Sequence, residues 1–282
     1  MTSYVFPGQG SQSLGMGRTL FTDFPDLVEQ ANEILGYSIV KLCLEDPEGK
    51  LNQTNFTQPA LFVVNALSYL NKIKENEKLP QYVAGHSLGE YNALFAARVF
   101  DFATGLKLVQ KRGKLMSQAT QGAMAAVIGL KSEDVLKLIA KHHLNELAIA
   151  NYNSYTQVVI TGLKTAVLAA ETIFTGAGAL YYLPLNVSGA FHSKYMDDAQ
   201  QEFSLFMREF HFAKPIIPII ANMTAKPYPI GSIHTLLAQQ ITHPVHWTQT
   251  VEYLLLRGET DFEEIGPGRV LSSLIARIRK GQ

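Results

Sequence analysis

The stretch Val83-Ala84-Gly85-His86-Ser87-Leu88-Gly89-Glu90 decides how this chain reads. The apolar run Tyr82-Val83-Ala84 enters it, and a helical pattern from Leu88 to about Ala97 leaves it. Between them Gly85 and Gly89 flank Ser87 in a G-x-S-x-G spacing. A sharp strand-to-helix turn crowds its neighbours, and glycines two residues to either side let the backbone close up. Such a turn lifts the serine hydroxyl out of the sheet and aims the following backbone N–H groups at whatever the serine attacks. Ser87 is therefore the candidate nucleophile.

Composition limits what can surround that turn. The 282 residues are 47% hydrophobic and 17% charged, enough for a sizeable core and unlike a disordered tail. Lysines and arginines balance aspartates and glutamates at a formal net charge of zero. No global field then draws the chain to nucleic acid or to a membrane surface. Cys43, between Leu42 and Leu44, is the only cysteine and reads as a small buried side chain. With no disulfide within the chain, no signal-peptide pattern at Met1-Thr-Ser-Tyr-Val-Phe-Pro7 and no apolar run long enough for a bilayer, a soluble cytoplasmic protein is expected.

Working outward, Tyr4-Val5-Phe6 reads as a short buried strand followed by the tight loop Pro7-Gly8-Gln9-Gly10-Ser11-Gln12. A dinucleotide fingerprint is excluded because Ser13 stands where the third glycine of G-x-G-x-x-G belongs. The loop either presents a backbone N–H towards the Ser87 turn or is a plain tight turn. Apolar residues from Phe24 to Leu35 share one helical face, with Gly36 as the stop. Thr57 and Pro59 are expected to open a buried helix from Ala60 to about Ile73, with Gln58 either facing a site or capping that helix. Asp101 to Gln118 is an amphipathic helix carrying Lys107, Lys111, Arg112 and Lys114.

From Gly122 the pattern changes. Met124–Ile128, a helix capped by Ser132, Leu147–Ala150, Gln157–Thr161, a helix over 166–174 and Leu180–Val187 follow in the order β-α-β-β-α-β, that of a ferredoxin-like unit. Strands 147–150 and 157–161 are expected to be joined by a turn at Asn151-Tyr-Asn-Ser154. Ser188-Gly-Ala-Phe-His-Ser193 returns the chain to strands and helices that continue the first pattern, including Ile216–Ala221, whose proline suits a sheet edge. The expected fold is α/β: a hydrolase-like parallel sheet flanked by helices over 1–122 and 188–282, with an inserted ferredoxin-like domain over 123–187.

A serine hydroxyl needs a base within hydrogen-bond reach. Of eight histidines, His142 and His143 end a helix, and His211, His234, His243 and His246 have no accompanying chemistry. His86 is sent away from the hydroxyl by the turn itself. His192 remains, in a small-residue turn where the two units meet and a cleft would form. The chain has no histidine beyond His246, which argues against an ordinary esterase. The group that orients His192 is then an acid or a backbone carbonyl.

The segments Phe6-Pro-Gly-Gln-Gly-Ser-Gln12, Thr57-Gln-Pro-Ala60, Gly85-His-Ser-Leu-Gly89, Lys111-Arg-Gly113, Ala190-Phe-His-Ser193 and Gly266-Pro-Gly268 together resemble the malonyl-CoA:acyl-carrier-protein transacylases. The run Phe56 to Tyr69 is most similar to the free-standing acyltransferases that serve polyketide synthases. The resemblance implies Ser87 as the acylated nucleophile, His192 as its base and acid, and the N–H groups of Gln9 and Leu88 as oxyanion hole. It implies the Gln240 carbonyl as the group orienting His192, Gln58 as a lining residue and Arg112 as the clamp for a free carboxylate. Phe191 matches the bulky residue associated with malonyl rather than methylmalonyl selection. It further implies malonyl-CoA as substrate with no bound cofactor or metal, and a phosphopantetheinylated acyl carrier protein as partner. Lys107, Lys111, Lys114, Arg277, Arg279 and Lys280 would supply a basic rim for that acidic carrier, or are simply solvated. A proofreading acyl hydrolase acting on carrier proteins is the alternative.

Overall fold

Tyr4-Val5-Phe6 and Tyr82-Val83-Ala84 lie side by side in the middle of a parallel sheet, which is why both runs are apolar on both faces. The computed structural model describes residues 2–75, 78–187 and 189–281. The chain begins β1 (Thr2–Phe6), α1 (Arg18–Asp23), α2 (Pro25–Leu35), α3 (Ile39–Leu44), α4 (Thr54–Glu75), β2 (Tyr82–Gly85), α5 (Gly89–Ala96) and α6 (Phe102–Gln118). It continues as β3 (Gly122–Ile128), α7 (Ser132–Lys141), β4 (Leu147–Ser154), β5 (Gln157–Leu163), α8 (Lys164–Ala169), α9 (Glu171–Gly176) and β6 (Tyr181–Pro184). After a single turn at Lys194–Met196 come α10 (Asp197–Met207), β7 (Ile219–Ile220), α11 (Ile233–Gln239), α12 (Trp247–Leu256), β8 (Asp261–Glu264) and α13 (Val270–Arg279).

The parallel sheet has the order β7-β2-β1-β8. Pro218 precedes β7 at the edge, where its carbonyl accepts from Val83 N–H at 3.0 Å and its missing N–H costs nothing. Because side chains alternate across a strand, Val5, Ala84 and Ile220 point to one face and pack on Trp247, Val251, Leu271 and Ile275 of α12 and α13. Tyr4, Phe6, Val83 and Ile219 point to the other and join the core built on α4 and α5. The second sheet is antiparallel, in the order β4-β5-β3-β6. One of its faces covers α7 to α9 through Val127, Ile160 and Phe174; the other gives Met124, Ala126 and Val159 to the main core. The α/β class is as expected. β4 also reaches outside its sheet: Val245 N–H donates to Ala150 O at 2.8 Å and Tyr152 N–H to Val245 O at 2.9 Å.

Several boundaries differ from the sequence expectation. The helix expected from Ala60 begins at Thr54, so Pro59 sits inside α4 and Thr57 is not its cap. Its start is fixed from outside: Gly113 of α6 lies so close that a Cβ there would be 3.2 Å from Thr54 O. Asn151–Ser154 is not a turn but the second half of β4, held by β5 and by the Val245 bridge. The helix expected over 166–174 is two short helices, and Ser132 is the first residue of α7 with no side-chain cap bond at that end. Helices α1 and α3 have too few apolar repeats to show in the pattern. Ser188, where the return segment was expected to start, lies outside the described residues.

The glycines at the Ser87 turn make a sharp test. A Cβ on Gly89 would sit 2.0 Å from Phe6 O, whereas one on Gly176 in α9 meets nothing within 4 Å. In denaturant unfolding, Gly89→Ala should therefore cost at least about 3 kcal/mol. Gly176→Ala should be neutral or stabilising by up to about 1 kcal/mol.

Candidate active site

Register alone brings the pieces together. Phe6 pairs with Gly85 and Ala84 with Ile220, so the loops leaving β1, β2 and β7 emerge side by side at the C-terminal edge of the sheet. Gly8 packs backbone to backbone on the second loop, where a Cβ would be 2.3 Å from His86 O. Asn222, two residues past β7, binds the nucleophile turn at both ends. Its Oδ1 accepts from Ser87 N–H at 2.7 Å, and its Nδ2 donates to Gly85 O at 2.6 Å. Ser87 itself is held at φ 50°, in the left-handed region that side chains disfavour, as is His192 at φ 58°.

Ser87 Oγ and His192 Nε2 are 2.8 Å apart. On the far side of the ring, Nδ1 lies 2.8 Å from the Gln240 carbonyl and 3.1 Å from that of His243. Carbonyls only accept, so Nδ1 carries the proton and Nε2 presents a lone pair to the serine hydroxyl. The orienting group is thus a pair of backbone carbonyls and not an acid. Burial, and then the Arg112 cation, push the His192 pKa down to about 3. An uncharged imidazole is the form that can take a proton.

Arg112 is 1% exposed, at the end of the cavity floor, because α6 approaches the start of α4 closely at Gly113. Its Nη1 donates to Gln58 Oε1 at 2.7 Å; its Nη2 donates to Gln240 Oε1 at 2.8 Å and to Ser87 Oγ at 3.2 Å. The ring of Tyr91 lies 5.5 Å from the guanidinium carbon. No carboxylate touches this cation among the described residues, although Glu90 lies one Gln240 side chain away. Gln58 therefore faces the site and does not cap its helix.

A small cavity of about 80 Å³ is lined by Gln9, Gln58, Ser87, Leu88, Arg112, Phe191 and His192. Met116, Met124, Leu185 and Val187 add an apolar wall. Neither Gln9 N–H nor Leu88 N–H donates to another described residue. His86 also lines the cavity, but its Nε2 donates to Asn153 Oδ1 at 2.8 Å and not to Ser87. All eight sequence-named positions are thus gathered here. Of the basic rim, Lys107 and Lys114 are exposed on α6, while Lys111 is paired with Glu202. No group of three or more His, Cys, Asp or Glu residues is placed to hold a metal ion among the described residues. Nor is any described helix long and apolar enough to cross a membrane. Burial pushes the Cys43 thiol up to about 12, as a buried apolar side chain requires.

Sequence reasoning missed Asn222, the second carbonyl at His243 and the use of Glu90. Asn222 had a signal: it follows an apolar strand of a parallel sheet, where ligand-facing residues collect. Glu90 had one too, an acid in a short helix whose other side chains are mostly apolar.

Comparisons with known proteins identify the family. The chain belongs to the acyl transferase domain family, whose model matches residues 3–271. The malonyl CoA-acyl carrier protein transacylase of polyketide biosynthesis from Bacillus subtilis (strain 168) is 56% identical over 281 residues, 99% of this chain and 98% of its own length. The crystal structure of a malonyl CoA-acyl carrier protein transacylase from Burkholderia pseudomallei superposes with a TM-score of 0.97 at 48% identity, covering 100% of this chain and 99% of that one. A type II PKS acyl-carrier protein in complex with its malonyl-transacylase gives a TM-score of 0.94 at 38% identity, over 99% and 93% of the two chains.

If the neutral imidazole activates Ser87, its lowered pKa extends the working range towards acid. Labelling of Ser87 by a sulfonyl fluoride should keep its rate from about pH 8 to about pH 5, apart from reagent hydrolysis. A fall with a midpoint near the ordinary histidine value of about 6.5 would contradict the buried neutral base.

Proposed function

We propose that this protein transfers the malonyl group of malonyl-CoA to the phosphopantetheine thiol of an acyl carrier protein through an ester on Ser87. The observation that carries the reading is the unneutralised Arg112 guanidinium, 3.2 Å from the candidate nucleophile and in the same small cavity. A malonyl group bears its carboxylate one methylene beyond the reacting carbonyl. A cation beside the serine suits that separation, and two parallel N–H···O bonds can hold it.

In the first half-reaction Ser87 Oγ attacks the thioester carbonyl carbon while His192 Nε2 takes the hydroxyl proton. The N–H groups of Gln9 and Leu88 receive the oxyanion. The C–S bond then breaks, and the imidazolium returns the proton to the departing thiolate of coenzyme A. In the second, the carrier thiol gives its proton to His192 and attacks the ester, and the proton passes back to Ser87 Oγ as the C–O bond breaks. Malonyl-CoA is a substrate here, and no bound cofactor enters.

Phe191, buried beside His192, narrows the cavity against a methyl branch. That discrimination is worth about 1–3 kcal/mol, less than the penalty for leaving Arg112 unpaired. The names of the related proteins support extender-unit supply to a polyketide synthase. A cytoplasmic setting is part of the same reading, as is the division into 1–122 with 188–282 and an inserted 123–187. A carrier-protein hydrolase would gain little from a cation at this position.

Intact-mass measurement after mixing with malonyl-CoA tests the reading. A malonyl adduct is expected, absent in Ser87→Ala and discharged by holo carrier protein. Discharge by water as fast as by carrier would favour the hydrolase. Arg112→Ala should lower malonyl acylation by about 10²–10⁴-fold, the loss of two charge-assisted hydrogen bonds, while acetyl acylation survives or rises. Unchanged malonyl kinetics would remove Arg112 from the proposal.

A further inference from the structure

Glu90 is 1% exposed, one residue past the G-x-S-x-G turn, and does not line the cavity. Both of its oxygens are committed. Oε1 accepts from Asn222 N–H at 2.9 Å and from the Tyr228 hydroxyl at 2.7 Å. Oε2 accepts from Gln240 Nε2 at 2.7 Å. That same Nε2 donates to the Ser87 carbonyl at 2.7 Å, while Gln240 Oε1 accepts from Arg112 Nη2 at 2.8 Å.

A carboxamide has two unlike ends. Turned over, Gln240 would set its NH₂ against the guanidinium and its oxygen against both the Glu90 carboxylate and the Ser87 carbonyl. An ionised carboxylate can only accept, so above its pKa Glu90 makes that inverted amide costly. We propose that Glu90 is a positioning residue for Arg112, fixing through the Gln240 amide the orientation in which the guanidinium meets an acyl group's carboxylate. The proposal rests on Arg112 as the clamp of the reaction above.

The arrangement separates two duties of Gln240. Its main-chain carbonyl holds His192, and its side chain holds Arg112. A change at Glu90 therefore disturbs the clamp and leaves the base in place. Glu90→Gln is the isosteric probe. Its retained oxygen still serves Asn222 and Tyr228, but its new NH₂ faces the NH₂ of Gln240. The two donors clash, and turning the Gln240 amide over exchanges that clash for one between its oxygen and the Ser87 carbonyl, so in either orientation the amide that holds the guanidinium is disturbed.

The experiment measures kcat/KM for Ser87 acylation with malonyl-CoA and with acetyl-CoA at about pH 8, where Glu90 is ionised, in wild type, Glu90→Gln, Arg112→Ala and the double variant. Glu90→Gln should lower the malonyl value by about 10–100-fold, mostly through KM, and change the acetyl value by less than about 3-fold. On the Arg112→Ala background it should leave the malonyl-to-acetyl ratio unchanged, since the shared partner is gone. Equal losses for both acyl groups, or a further fall in the ratio without Arg112, would overturn the proposal. If Glu90→Gln yields no folded protein, Tyr228→Phe takes its place. It removes one bond to Oε1 and should lower the ratio by a smaller factor; an unchanged ratio there overturns the proposal as well. A wild-type protein that forms no malonyl ester sinks the transferase reading and this proposal together. Wild-type acylation with an unaltered ratio in Glu90→Gln sinks this proposal alone.

Discussion

The peptide of Gly89 lies against the carbonyls of Phe6 and Pro7, and that of Gly8 against the carbonyl of His86, at separations no side chain would permit. These contacts lock the loops after β1 and β2 into one block. They set Ser87 at the head of α5 with the Gln9 and Leu88 amides beside it. They also force Ser87 into the left-handed region, a cost of order 1–3 kcal/mol that the surrounding packing must hold. Asn222 braces the block from the third strand, so Ser87 is placed by three strand ends and not by a flexible loop.

Around this block the electrostatics divide by depth. Arg112 is kept charged in the interior by acceptors that carry no full charge, the amide oxygens of Gln58 and Gln240. Burial nevertheless lowers its pKa, and that cation is one reason His192 stays neutral. The nearest acid, Glu90, has its own pKa raised by burial to about 7 and is separated from the guanidinium by a neutral amide. A direct ion pair would have neutralised the cation. The use of a glutamine as spacer keeps the charge available.

Much of this was legible in the chain. The serine turn, the loop at Gln9 and the histidine at 192 each have local signatures: paired glycines, a short apolar strand, a small-residue turn. Glycine spacing reports close backbone approach, and such approach is what the C-terminal edge of a parallel sheet requires. The assignments of Arg112, Gln240 and Phe191 came from resemblance, because one arginine among lysines on an amphipathic helix looks like any solvated face. Other features were opaque for a different reason. The start of α4 at Thr54 depends on Gly113, fifty-nine positions on, and the extension of β4 through Asn151–Ser154 depends on β5 and Val245. Local propensity places a turn at Asn-Tyr-Asn-Ser; a distant strand overrides it.

The bridge between β4 and Val245 lies two residues from the His243 carbonyl and five from that of Gln240. The antiparallel sheet is thus laced to the very segment that keeps the proton on His192 Nδ1. The small antiparallel sheet and the tautomer of the His192 ring thus depend on one short stretch of chain, residues 240–245.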